Sequence, residues 1–261
     1  MSQKTIDITP HTSLLPKLGY SGYNAPQALA ELVDNSIDEA LDEKQLRVAV
    51  HISKERIVVA DNARGMDESG LARAMTLAYS TKKGKLGEFG LGLKTACLSL
   101  GSSFEVRSKQ AGVRREYLIE FDEQDWLSSS DGWRIPIHEQ PAEADEHYTI
   151  ISVTGLKCYY PHLPNYIRHD FEERFAPFIL SGRTRITVNK EACAPSPPDL
   201  LEGTRKEFTI VLGPGRTITG WYALLKQGSQ KGHYGFSTYR RGRMITAYDK
   251  IGAPRVFVWV V

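Results

Sequence analysis

Cysteine is scarce in this chain and is nowhere paired in sequence. Cys97, Cys158 and Cys193 lie far apart with no C-x-x-C between them, which excludes a disulfide framework and a thiolate zinc site. Long apolar runs are also missing. Nothing approaches the ~18 residues of a membrane span, and the first ten residues, MSQKTIDITP, lack the apolar stretch of a secretory signal. Charge of one sign is lacking too. The 33 Lys+Arg and 31 Asp+Glu leave a net +2, too little to imply nucleic acid or membrane from composition alone. No internal repeat stands out. These absences predict a soluble cytoplasmic protein with reduced thiols and no membrane partner.

What remains is a chain of 261 residues, 41% hydrophobic and 25% charged, an ordinary globular composition. At ~150 residues per domain it holds one large domain or up to two ordinary ones. Asn24 and Pro26 open a predicted helix over 24–41. Strands are expected at 46–52 and 56–60, and Asp67 is placed to cap a helix over 68–79. A loop rich in Ser, Lys and Gly spans 80–92, and a further helix runs to Leu100, where Gly101 is placed to end it. Strands then follow at 103–108, 113–121, 132–137 and 148–154. The every-fourth spacing of Ile167, Phe171, Phe175 and Ile179 predicts a helix over 165–180, and a strand is expected at 184–189.

A Pro-rich stretch around 192–199 reads as a linker. Beyond it the pattern is mostly strands, at 206–212, 217–225, 235–240, 243–248 and 255–261. The apolar run from Arg255 to Val261 is unusual for a terminus, and it is expected to be a strand tied into a sheet or part of a longer protein. A mixed α/β domain therefore precedes a β-rich piece.

Three segments carry chemistry. On the first helix, Glu31, Asp34, Asn35 and Asp38 fall in one stripe about 100° wide, opposite Leu29, Leu32, Val33 and Ile37. The stripe is either a solvated face or a row of oxygen ligands for a hard cation, with a carboxylate one turn away to activate water. In the second, Asp61-Asn-Ala-Arg-Gly65-Met66 follows a buried-looking strand. It is either a turn or a site where the Asp61 carboxylate accepts from an exocyclic amine such as that of adenine. The third is Gly87-Glu-Phe-Gly90-Leu91-Gly92-Leu93-Lys94-Thr95. It is either a flexible loop or a backbone cradle for phosphate at a helix start. The dinucleotide fingerprint G-x-G-x-x-G fails on spacing, and the P-loop fails because Leu93 separates Gly92 from Lys94.

Taken together and in this order, the segments closely resemble the GHKL (Bergerat-fold) ATPases, which include DNA gyrase, heat-shock chaperones, histidine kinases, MutL and MORC proteins. The E-x-x-x-N motif of that family matches Glu31 and Asn35. Its D-x-G-x-G motif matches Asp61 and Gly65, with Ala63 in place of the first glycine. Its G-x-x-G-x-G motif matches Gly87, Gly90 and Gly92, and Thr149 is the best match to the threonine of the fourth motif. The resemblance covers about residues 20–190.

It implies a two-layer α+β sandwich, the Bergerat fold, with a mixed sheet and helices on one face. It also implies domain limits: an ATP-binding domain over 1–190, a linker over 191–203, and the start of a β-rich transducer-like domain over 204–261, truncated at Val261. The cofactors implied are ATP and Mg²⁺. Glu31 takes the role of general base, Asn35 that of Mg²⁺ ligand, and Asp61 that of adenine reader. Asp34, Asp38 and Met66 stand beside them. Residues 67–86 form the ATP lid. Gly87, Gly90, Leu91, Gly92 and Leu93 form the phosphate loop, with Lys94 as a phosphate cation; the lid residues Lys82 and Lys83 either belong to a solvated loop or meet phosphate as well. If the position of Ala63 needs φ > 0, alanine costs about 1 kcal/mol; if it needs only a small residue, alanine serves. Binding is expected to survive.

Only about 30 residues precede Glu31, too few for the dimerisation unit of a histidine kinase, so the MORC, MutL and topoisomerase branch is the nearest. In that branch the transducer sends a lysine to the γ-phosphate, for which Lys226, Lys231 and Lys250 are candidates. The function implied is a slow ATPase acting as a dimerising clamp in a DNA-related process; the basic hairpin of Arg240, Arg241 and Arg243 is either a solvated turn or a contact for the phosphates of duplex DNA. The alternative is a chaperone-like or signalling ATPase with no nucleic-acid role.

Overall fold

Leu46, Val48, Val50 and Ile52 are buried and the residues between them exposed. This two-residue period makes β1 (Leu46–Ile52) a half-buried strand. It pairs antiparallel with β2 (Arg56–Asp61) across the short connection at 53–55. The computed structural model describes residues 5–79, 90–228, 232–250 and 257–260. The remaining elements, in chain order with β1 and β2, are α1 (Leu14–Ser21), α2 (Ala25–Asp38), α3 (Glu68–Met75), α4 (Gly92–Leu100), β3 (Gly101–Lys109), β4 (Arg115–Asp122), α5 (Glu123–Ser128), β5 (Ile137–Pro141), β6 (Tyr148–Leu156), α6 (Leu163–Arg174), α7 (Ala176–Leu180), β7 (Thr184–Val188), β8 (Glu191–Ala192), β9 (Lys206–Gly213), β10 (Arg216–Ala223), β11 (Gly235–Arg240), β12 (Arg243–Asp249) and β13 (Phe257–Val260). The chain forms two compact units, 1–167 with 185–192 and 168–184 with 193–261.

The first unit is built on an eight-stranded sheet of order β5-β4-β3-β6-β2-β1-β7-β8. One face carries Val59, Phe104, Val106, Ile119, Phe121, Ile151 and Val153, all buried. The helices α2 and α4 lie against the sheet and against each other, and α1 packs on α4. Asn24 caps α2 by accepting from the Gln27 backbone, and the Gln27 side chain returns the bond, a reciprocal cap worth about 1 kcal/mol. The expected two-layer α/β domain and the β-rich part after it are both present.

Several boundaries differ from the sequence reading. The helix expected to 79 ends at Met75, because Lys94 takes the carbonyls of Ala74 and Thr76. Gly101 ends α4 where expected, directly after Leu100, but not in a left-handed turn. It is extended, and a Cβ there would lie 2.2 Å from the Thr154 carbonyl; the glycine permits close strand approach. The strand expected at 132–137 begins only at Ile137, after Pro136, whose ring nitrogen cannot donate to the ladder. Pro177 breaks the expected helix over 165–180 into α6 and α7.

The second unit carries a five-stranded sheet of order β12-β11-β13-β10-β9, in which β11 and β13 run parallel. The strands β11 and β12 meet through Arg241 and Gly242, both at positive φ, the geometry of a tight two-residue hairpin. No helix among the described residues is long and apolar enough to cross a membrane.

Candidate functional site

The site is assembled by four short pieces of the first unit. The helix α2 contributes Glu31, Leu32, Asn35, Ser36 and Glu39. The end of β2 and the turn after it contribute Asp61, Ala63, Arg64, Gly65 and Met66. The start of α4 contributes Gly90, Gly92, Leu93 and Lys94, and β6 contributes Thr149 and Ile151. Together with Asp67, Gly70, Arg73, Ala74, Tyr79 and Gln110 they line a cavity of about 310 Å³, within the ~300–1,000 Å³ usual for small-molecule sites.

Asp61 sits at the end of β2, directly opposite Thr149 of β6. Its carboxylate accepts from the Ser36 hydroxyl at 2.6 Å and from the Ala63 N–H at 2.9 Å. Burial raises its pKa, and the bonds from Ser36, Ala63 and the Thr149 backbone oppose that rise only in part. A partly desolvated acceptor of this kind discriminates strongly for a ligand that brings an N–H donor.

The turn itself separates the two small residues of its motif. Gly65 has φ +71°, and a Cβ there would lie 1.9 Å from the Lys109 carbonyl oxygen. Only glycine fits that position. Ala63 is buried at 2% exposure and is not among the residues with positive φ. Alanine is therefore unstrained there, and the feared backbone cost is absent. The Met66 N–H donates to Ser108 Oγ at 2.8 Å, and that hydroxyl also meets Thr149 Oγ1 at 2.9 Å.

Glu31 and Asn35 stand one turn apart on α2. The Asn35 amide nitrogen donates one of its two hydrogens to the Glu31 carbonyl at 2.9 Å, which fixes the amide and leaves Oδ1 as its acceptor for a ligand or cation. A Cβ on Gly92 would lie 2.8 Å from Glu31 Oε2, so the missing side chain lets α4 come up to the carboxylate. Gly90 has φ +65°, with the Tyr79 carbonyl 2.3 Å from its missing Cβ. Lys94 is 1% exposed and burial lowers its pKa to about 8.

Three expected site residues do not line the cavity. Asp34 is buried on α2, Asp38 is half-exposed at the helix end, and Leu91 lies just before α4. Lys82, Lys83, Gly87 and Lys231 fall outside the described residues. In the second unit, Lys226 lies 4.0 Å from Asp199, and Lys250 stacks 4.4 Å over the Tyr234 ring. The sequence reading did not single out Ser36, Arg64 or Gln110, while Arg73 lies within the residues 67–86 expected to form the lid. Ser36 and Arg64 were reachable, since one follows Asn35 and the other lies inside the Asp61–Gly65 motif.

Among the described residues no group of three or more His, Cys, Asp or Glu is arranged to hold a metal. The donor set fits a cation held through Asn35 Oδ1 and a ligand's own oxygens, as Mg²⁺ prefers.

Comparison with known proteins identifies similar chains over the same part of the sequence. Residues 23–149 match the family model described as histidine kinase-, DNA gyrase B-, and HSP90-like ATPase. Protein MICRORCHIDIA 1 of Arabidopsis thaliana is 32% identical over 115 residues, 40% of this chain and 18% of that protein. MICRORCHIDIA 3 of the same plant is 36% identical over 97 residues, 34% of this chain and 16% of its own length. The ATPase morc-1 of Caenorhabditis elegans is 30% identical over 143 residues, 49% of this chain and 16% of its own. The matched stretch thus spans less than a fifth of each of these relatives.

Proposed function

Residues 23–149 belong to the GHKL ATPase superfamily, with relatives in its MORC branch, and on that premise we propose that the protein binds Mg-ATP in the cavity and hydrolyses it. The observation that carries this reading is the convergence of Glu31, Asn35, Asp61, Gly65, Gly92, Lys94 and Thr149 on one cavity, from four segments far apart in sequence.

Asp61 accepts the exocyclic amine of adenine, oriented by Ser36 and by the backbone of Ala63 and Thr149. The methyl of Ala63 and the side chains of Met66 and Ile151 supply apolar surface for the purine. Gly90, Gly92 and Leu93 bring backbone N–H groups to the phosphates at the start of α4, where the helix dipole favours negative charge. Lys94 supplies the cation at the same place. Asn35 would hold Mg²⁺ through Oδ1, and the ion, when bound, would supply positive charge against the phosphates. Glu31 orients and deprotonates the attacking water.

At the level of the whole protein we propose an ATP-gated dimerising clamp in a DNA-related process. The support for it is the tight hairpin at 240–243, which gathers three arginines at one turn with Arg240 and Arg241 exposed, a geometry suited to backbone phosphate. The chaperone-like alternative has no such feature in its favour.

The test is Mg-ATP turnover of the wild type and Glu31→Ala, with binding by calorimetry and mass by light scattering. Glu31→Ala should bind ATP and hydrolyse it about 10²–10⁴-fold more slowly. Equal turnover in both removes the role assigned to Glu31. Absence of ATP binding in the wild type removes the reading of the cavity.

A further inference from the structure

We propose that His147 is a positioning residue for purine recognition, acting through the carbonyl of Ala63 and itself oriented by Lys44. The inference rests on the reading of Asp61 as the purine acceptor.

The turn from Asp61 to Gly65 forms one wall of the cavity, and several of its peptide groups are tied down. The Asn62 N–H donates to the Arg47 carbonyl at 3.3 Å, and the Arg64 N–H to that of Glu39 at 2.9 Å. The Arg64 carbonyl accepts from the Ala111 N–H at 3.2 Å. The Ala63 N–H is taken by Asp61 Oδ1. The Ala63 carbonyl is met by His147 Nδ1 at 2.8 Å.

The other ring nitrogen, Nε2, lies 3.0 Å from Lys44 Nζ. An ammonium can only donate, so Nε2 accepts and Nδ1 carries the hydrogen given to Ala63. Lys44 thereby selects the tautomer, and the contact is a directed donor rather than a chance approach.

His147 does not line the cavity, but Thr149, two residues on, does. The backbone of Thr149 supports the Asp61 carboxylate. The start of β6 therefore grips the turn at two points, His147 at the Ala63 carbonyl and Thr149 at Asp61. The purine acceptor and the small residue beside it are set against each other by one rigid strand. A glycine at 63 would make the turn freer; the tether from His147 and the buried Ala63 methyl fix it.

The test uses the full chain and three variants, His147→Phe, His147→Asn and Lys44→Met. ATP affinity is measured by calorimetry, KM and kcat by turnover, and folding by thermal unfolding. His147→Phe should weaken ATP binding and raise KM by about five- to tenfold, the worth of one hydrogen bond. Its kcat should stay within about twofold, because Glu31 and the phosphate loop are untouched. His147→Asn places an amide N–H where Nδ1–H stood and should stay within about twofold of wild type in affinity. Lys44→Met should fall between the two.

A folded His147→Phe with wild-type affinity overturns the proposal, and so does a His147→Asn that loses as much as His147→Phe. If His147→Phe does not fold, the other pair decides: wild-type affinity in Lys44→Met together with a full loss in His147→Asn overturns it. Wild-type protein that binds no ATP overturns the reading of the cavity and this inference with it. Binding by the wild type with none of the variant effects overturns the inference alone.

Discussion

The ammonium of Lys94 donates to the carbonyl of Ala74 at 2.6 Å and to that of Thr76 at 3.0 Å. One buried cation thus closes the end of α3 and also lines the cavity where a phosphate is proposed. A lysine on the first turn of a helix opposes the dipole of its own helix. Here the carbonyls at the end of a neighbouring helix offset that cost, and an anion in the cavity would do so further.

Burial lowers the Lys94 pKa from 10.5 to about 8, which sets a pH signature. Between these values the unfolded chain keeps the proton and the native chain has lost it. The unfolded state then binds more protons, so this group makes stability rise with pH across the window from about 8 to 10.5. Urea midpoints of wild type and Lys94→Met, compared at pH 7.5 and 10, should show the wild type gaining on the variant. ATP affinity should move the other way in the wild type, falling above about pH 8 as the positive charge is lost. In Lys94→Met that step should be missing.

The motif with alanine in place of glycine makes a paired prediction. Ala63→Gly should cost about 0.5–1 kcal/mol through the unfolded chain and leave ATP affinity within about threefold. Gly65→Ala must place a methyl 1.9 Å from a backbone oxygen at φ +71°, and should either fail to fold or lose nucleotide binding. Thermal unfolding and calorimetry on the two variants check this. A well-folded Gly65→Ala that binds ATP normally would refute the account of the turn.

Much of the fold was legible because its signals are local. The caps at Asn24 and Asp67 and the alternation in β1 need only neighbouring residues to take effect. What stayed hidden depends on distant packing. The helix α1 contains Pro16 and Gly19 and reads poorly as a helix, yet Gly19 exists to let α4 approach, since a Cβ there would lie 2.5 Å from the backbone of Leu98. From sequence the acidic stripe on α2 is Glu31, Asp34, Asn35 and Asp38. The cavity instead faces Glu31, Leu32, Asn35, Ser36 and Glu39, a stripe rotated toward the apolar side. Periodicity gives the angular width of such a face, but the sheet and α4 decide which part of it meets the cavity. Ala63 could not be judged from sequence at all, because its φ is set by the turn around it.

Gly92 offers a way to disturb the chemistry without disturbing the fold. Gly92→Ala should keep or slightly raise stability, since alanine favours a helix by up to about 1 kcal/mol over glycine. Its methyl would arrive 2.8 Å from Glu31 Oε2, the movable end of a long side chain, and push the carboxylate aside. Turnover should fall about 10–100-fold while ATP binding persists. Unaltered turnover, measured beside a normal melting curve, would show that the position of Glu31 does not limit hydrolysis.

The strand order has a consequence for how the site comes into being. The hairpin of β1 and β2 and the run of β3, β4 and β5 each pair between sequence neighbours, and each can form early. They meet only through β6, which lies between β2 and β3 and is made after both. Closing that gap is the step of high contact order, and such pairings form slowly. A nascent chain that has not yet released residue 156 has two separate pieces of sheet. Asp61 then has Val48 of β1 on one side but no strand on the other, where Thr149 belongs, and nucleotide affinity should appear abruptly during synthesis rather than in stages.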